Sequence, residues 1–171
     1  MIIAVGGLTG SGKNTLGGNL AKSLGYRLVC PTFKDLAAKV GIPLMEFQKK
    51  AEKDPDIDRK FDALLKEEAA KGDCVVTTWL GPWMVDADLR ILVYASEDER
   101  AKRLAGRDKM GLAEAKKHLI QRDDENRRRY KKLYNIDIFD QSVYDISINN
   151  GRMSAERAGE VALAIAKSWK K

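Results

Sequence analysis

The stretch Gly7-Leu8-Thr9-Gly10-Ser11-Gly12-Lys13-Asn14-Thr15 stands between the apolar run Ile2-Ile3-Ala4-Val5 and a segment in which Leu16, Leu20 and Leu24 recur every four residues. Strand, glycine-rich turn and helix in that order constrain this chain more than any other feature in it. A buried strand delivers the backbone to a turn whose N–H groups can converge on phosphate oxygens. The helix behind it adds its unsatisfied N-terminal donors and the positive end of its dipole. Lys13 is placed to reach the outer phosphates, and the hydroxyl that normally follows meets Mg²⁺. Asn14 takes that position here, with Thr15 one residue later. Asn14 still offers a carbonyl oxygen to Mg²⁺, a hard cation that takes oxygen ligands and keeps several waters. The pattern predicts that residues 7–15 bind a nucleoside triphosphate.

Five strand-like runs can be read: Ile2–Val5, Arg27–Val29, Val75–Thr78, Arg90–Tyr94 and Asp145–Ile148. Helical patterns separate them. Gly25 is suited to end the first helix. Asp54-Pro55 reads as N-cap and first turn of a helix with the apolar stripe Ile57, Phe61, Leu64 and Leu65. Ser96 and Glu99 form a capping box, and Ser154 is a candidate N-cap for a last helix carrying Ala158, Val161, Ala162, Ile165 and Trp169 on one face. Strand alternating with helix implies an α/β fold around a parallel sheet, which binds ligands beyond the carboxyl ends of its strands. Two gaps exceed the length of a simple crossover helix: the one between strands two and three, and the one from Ser96 to Asp145.

At 171 residues, 44% hydrophobic and 33% charged, the chain is expected to fold as one soluble domain spanning residues 1–171. No apolar run reaches membrane-spanning length and the first one is too short for a signal peptide, so the expected location is the cytoplasm, without membrane association. Cys30 and Cys74 are far apart, each in a strand-like run, and read as free thiols. His118 is the only histidine, which excludes any mechanism needing two. Of the net charge of +6, the stretch Arg100–Lys132 carries 13 Lys and Arg against 5 Asp and Glu. Such a patch suits a polyanion. For its lysines a solvated helix face is the simpler reading.

Gly7–Thr15, the string Gly41-Ile42-Pro43-Leu44-Met45-Glu46-Phe47 continuing to Asp54-Pro55-Asp56-Ile57-Asp58-Arg59, the pair Trp83-Met84, and Tyr134-Asn135-Ile136-Asp137-Ile138 resemble the short, archaeal-type cytidylate kinases. The resemblance covers nearly the whole chain in the family's order. It implies a P-loop kinase of three layers: a five-stranded parallel sheet with helices on both faces, a helical acceptor-binding insertion (about residues 30–72) and a short lid (about 103–130). It also implies transfer of the γ-phosphoryl of MgATP to CMP or dCMP. ATP and Mg²⁺ are then the cofactors, a small-molecule phosphate acceptor is the partner, nucleic acid is not expected, and the assembly is a monomer or homodimer. Such enzymes act by positioning and positive charge. Arg103 and Arg107 resemble the start of the family's lid, and Arg122 with Arg129 its end, where arginines clamp both phosphates; Lys13, Arg103, Arg122 and Arg129 are the expected catalytic cations. Arg127 and Arg128 are left to solvent.

The acceptor side departs from the family. Lys34 stands where an arginine grips the acceptor phosphate, and a lysine lacks the bidentate fork. After strand three, Thr77 and Trp79 replace an acid and an arginine. Asn126 lies where bacterial relatives have Asp. The acceptor set implied by the resemblance is therefore Lys34, Arg59, Trp79, Trp83, Arg122, Asn126 and Arg129, with Asn14 at the metal. Losing one charge-assisted contact to a buried phosphate costs about 10- to 150-fold in affinity, so CMP is expected to be held more weakly than in the family. Two other readings stay open: a kinase of another small molecule on the same frame, and a nucleotide-binding module without turnover.

Overall fold

The structure is a computed structural model of the chain. It describes residues 1–31, 33–43, 46, 47, 50 and 54–169, with the backbone alone for 33–35 and 39. Five strands form one wholly parallel sheet: β1 (Ile2–Gly6), β2 (Arg27–Val29), β3 (Cys74–Val76), β4 (Leu89–Tyr94) and β5 (Ile146–Asn149), in the spatial order β2-β3-β1-β4-β5. Among the described residues these helices accompany them: α1 (Lys13–Leu24), α2 (Phe33–Val40), α3 (Pro55–Ala70), α4 (Gly81–Met84), α5 (Glu97–Asp108), α6 (Leu112–Tyr134) and α7 (Ala155–Trp169). The predicted α/β class and five-strand parallel sheet are present. Strand three begins one residue before the expected Val75–Thr78 run and ends at Val76.

β1 is central, flanked by β3 and β4, and Ile3, Ala4 and Val5 are fully buried. Its pleat sends Ile3 and Val5 to one face and Ala4 to the other. On the first face they meet Leu16 and Leu20 of α1 and Ala158, Ala162 and Ala166 of α7. On the second, Ala4 and Val76 meet Leu65 and Ala69 of α3 and Val85. Each Leu or Ile so buried contributes roughly 1.5–3 kcal/mol, which makes these two layers the main source of stability. A smaller cluster of Leu104, Ala115 and Leu119 joins α5 to α6.

The local signals hold. Gly25 ends α1 in the left-handed conformation, at φ 68°. Asp54 caps α3 by accepting from the Asp56 N–H at 3.0 Å. Ser96 accepts from the Glu99 N–H and Ser154 from the Arg157 N–H. Half of the expected capping box is missing, since the Glu99 carboxylate turns to Lys102 at 2.7 Å. The α3 stripe is corrected. Its buried positions are Asp58, Asp62, Leu65 and Ala69, whereas Leu64 is exposed. Two carboxylates take places on the inner face because groups on α6 meet them there. Both cysteines are free and His118 is exposed. No described helix is long and apolar enough to cross a membrane.

Candidate active site

Beyond the carboxyl end of β1, residues 7–12 form a tight loop closed by the Ser11 N–H donating to the Leu8 carbonyl at 3.1 Å. Gly10 (φ 73°) and Gly12 (φ 90°) hold left-handed backbone, and a Cβ on Gly10 would lie 2.7 Å from the Arg100 carbonyl oxygen. Glycine is therefore required there. α1 begins at once, with Gly12 as its cap, no side-chain cap bond and no acid in the first turn. Its first N–H groups and dipole are thus left to an incoming anion.

Lys13 is half-buried beside this cradle and has no hydrogen-bond or ion-pair partner among the described residues. Its ammonium lies over the Trp79 ring, 5.0 Å from the centroid. Burial, then the nearby charge of Arg122, push its pKa down to about 8. A desolvated, uncompensated cation beside open N–H donors suits the outer phosphates of a triphosphate. The rate constant kcat/KM for ATP, which reports the free enzyme, should therefore fall as pH rises through about 8, where Lys13 loses its proton. A profile flat from pH 7 to about 9.5 would contradict this.

The metal donors fit more sparsely. Among the described residues no group of three His, Cys, Asp or Glu could hold an ion. Asn14 and Thr15 are exposed at the start of α1 and supply neutral oxygens. The Thr77 hydroxyl, which stands in place of the family's acid, is buried without a partner among the described residues just beyond β3. These groups fit Mg²⁺ that arrives already bound to phosphates and needs few protein ligands.

The loop is braced from the side by residues that sequence reasoning did not single out. The Thr9 N–H donates to Asp123 Oδ1 at 3.0 Å, and the Thr9 carbonyl accepts from Arg100 Nη1 at 3.1 Å. Arg100 and Asp123 pair at 2.6 Å, both buried. Asn150, just after β5, donates to the Ser11 carbonyl at 2.9 Å. Arg103 joins this brace: Nη1 reaches the Ser11 carbonyl and Asn150 Oδ1, and Nη2 the Asn150 carbonyl. With Gly12, Thr15, Asn150 and Met153 it lines a cavity of about 170 Å³ beside the loop.

The other cations divide. Arg107 is exposed and paired with Asp108, while Arg122 is exposed with no side-chain partner among the described residues. Both lie close enough to Lys13 for their charge to lower its pKa. Arg129 Nη2 instead donates to both Asp58 oxygens at 2.6 Å, tying α6 to α3. One turn further along each helix, the Tyr134 hydroxyl donates to Asp62 at 2.5 Å. Burial raises the pKa of Asp62 and of Tyr134. Two acids four residues apart among apolar neighbours were the available signal for this pairing. Arg59 sits in an exposed pair with Asp56, 2.8 Å apart, on the outer side of α3. Asn126 donates to the Arg122 carbonyl within α6. Trp83 meets Tyr144 edge-on, with 5.7 Å between ring centroids. The Lys34 side chain lies outside the described residues.

Residues 2–152 match the model of the cytidylate kinase-like family. The cytidylate kinase of Pyrobaculum aerophilum is 40% identical over 167 residues, covering 95% of this chain and 91% of that one. That of Thermococcus kodakarensis is 43% identical over 152 residues, covering 87% and 79%. Among solved structures, the shikimate kinase of Acinetobacter baumannii superposes with a TM-score of 0.62 at 18% identity, covering 99% and 95% of the two chains. The deoxyadenosine kinase of M. mycoides gives 0.57 at 15%, covering 98% and 100%. At such identity these two structures speak for the fold alone.

Proposed function

The chain belongs to the cytidylate kinase-like family, and we propose on that footing that it transfers the γ-phosphoryl of MgATP to the phosphate of CMP or dCMP. The observation that carries this reading is Lys13, an ammonium beside the N–H cradle that has no ion-pair partner among the described residues and feels the charge of Arg122. An acceptor phosphate is already ionised at neutral pH, so no general base is needed and the residues act by position and charge. The loop N–H groups and α1 hold the donor phosphates, and Lys13 meets the charge on the transferring group. Bound Mg²⁺ supplies further charge neutralisation on the phosphates. Helices α2 and α3 form the acceptor side, and α5 with α6 the lid.

The arginines then take separate parts. Arg122, exposed and with no side-chain partner among the described residues, closes on the phosphates as the lid helix moves, so Arg122→Ala should lower kcat by roughly 10²-fold while leaving ATP affinity within a few-fold. Arg103 supports the loop backbone, so Arg103→Ala should weaken ATP binding as well as turnover. Equal losses of ATP affinity in both variants would contradict this division. Arg129, held by Asp58, is presented to the acceptor phosphate from the α3 side.

A thermal-shift panel tests the acceptor. With a non-hydrolysable ATP analogue and Mg²⁺ present, CMP and dCMP should raise Tm more than AMP, UMP, GMP or shikimate at equal concentration. A larger shift with shikimate, or none beyond that of the analogue, would overturn the assignment.

A further inference from the structure

The inner side of α6 is bound to two different parts of the fold. Near its middle, Asp123 accepts from the Thr9 N–H of the loop at 3.0 Å. Further along, Arg129 donates to Asp58 of α3 at 2.6 Å, and the Tyr134 hydroxyl donates to Asp62, one turn beyond Asp58 on the same helix. Tyr130 lies between these attachments. It follows Asp123 by seven residues, which is about two turns and the same side of the helix. The charges that act on its phenol come from both helices: Arg129 and Arg122 of α6, Asp58 and Asp62 of α3. Arg122 acts on Lys13 as well, so the phenol stands between the loop and α3.

One property separates this phenol from its neighbours. Asp58 and Asp62 are taken up by Arg129 and Tyr134. The Tyr130 hydroxyl makes no hydrogen bond among the described residues, although the residue is half-buried. Burial raises its pKa, so at neutral pH it is an uncharged donor. A desolvated hydroxyl without an acceptor costs stability that an arriving ligand can return. Two nearby guanidinium groups draw an anion to this spot, and the phenol adds a directed donor without adding charge.

We propose that Tyr130 is a specificity-determining residue of the acceptor site, its hydroxyl donating to an oxygen of the acceptor's phosphate beside Arg122 and Arg129. The proposal rests on the reading of the acceptor as a nucleoside monophosphate. Charge alone draws any anion. A donor fixed by the ties on either side of it rewards one whose phosphate reaches that point.

Calorimetric titration with the non-hydrolysable ATP analogue and Mg²⁺ present tests this on the whole chain. Tyr130→Phe keeps the ring and removes the hydroxyl, so Tm of the free protein should stay within about 2 °C of the parent. Affinity for CMP should fall by roughly 10- to 150-fold, the loss of one hydrogen bond to a charged group, while affinity for the analogue stays within about two-fold. Cytidine, which lacks the phosphate, should bind the two proteins equally. In turnover, KM for CMP should rise and KM for ATP should not. In the wild type, the tyrosine Cζ resonance that Tyr130→Phe lacks should move on adding CMP and stay in place on adding cytidine. Equal CMP affinity in the two proteins would overturn the assignment. So would a lower Tm with CMP affinity unchanged, which would make the hydroxyl a support of the fold, or a resonance that moves equally with cytidine. A wild type that binds and phosphorylates no nucleoside monophosphate would overturn the function and this assignment with it, whereas an active wild type matched by Tyr130→Phe would overturn the assignment alone.

Discussion

Replacing Lys13 with alanine is expected to cut turnover by roughly 10²-fold or more, the usual loss on deleting one group preorganised for transition-state charge. Phosphoryl transfer asks little covalent work of a protein, and its demand is for positive charge where the transferring group is stretched between two oxygens. Lys13 is the one cation that the loop itself carries. Its ammonium is partly desolvated and held over a neutral ring, so its field is little weakened by a local anion. The fold should survive. α1 is anchored by Leu16 and Leu20, and Lys13 belongs to none of the apolar clusters. Turnover with CMP and thermal unfolding of the variant, measured together, check this. Unchanged turnover would remove the loop from the mechanism, and a collapse of Tm would show that Lys13 supports the structure.

The largest stability effect is expected at Asp123. Its carboxylate pairs with Arg100 at 2.6 Å and accepts from the Thr9 N–H, and both charged side chains are buried. Asp123→Ala would leave a guanidinium without its counter-charge and a loop N–H without its acceptor. Breaking one side of a buried pair costs about 3–5 kcal/mol. For a chain of this size that is a fall in Tm of roughly 6–20 °C. Arg100→Met with Asp123→Leu removes both charges, and should be milder than the single change because no buried ion is left alone. Differential scanning calorimetry of the three variants decides it. A single variant melting within about 2 °C of the parent would mean that water reaches the pair and screens it.

Much of this architecture is written in local patterns. The run Ile2–Val5, the glycines of the loop and the caps at Asp54, Ser96 and Ser154 each depend on neighbours within a few residues, so they can be read along the chain. The partners of the long polar side chains cannot. Arg129, read from the resemblance as a phosphate clamp, is paired with Asp58, 71 residues away. Arg103 looked like a phosphate ligand, and its three hydrogen bonds go to the backbone of Ser11 and to Asn150. Arg59 shared a family-like string with Asp58, but one step along a helix turns a side chain by about 100°, and it points to solvent. The same step misplaced the inner face of α3. Buried acids are rare, and the guanidinium and phenol of α6 make Asp58 and Asp62 tolerable there.

On the proposed function, Lys13 and the arginines near it drive phosphoryl transfer to a cytidine monophosphate. Phosphorus NMR of a mixture of ATP, CMP, Mg²⁺ and enzyme tests it most directly, because donor loss and acceptor gain are seen in one spectrum. CDP should appear in step with ADP, at a turnover within the ~1–100 s⁻¹ typical of kinases, and should vanish with Lys13→Ala. ATP that stays intact beside CMP, or that yields ADP and free phosphate without CDP, would contradict the account.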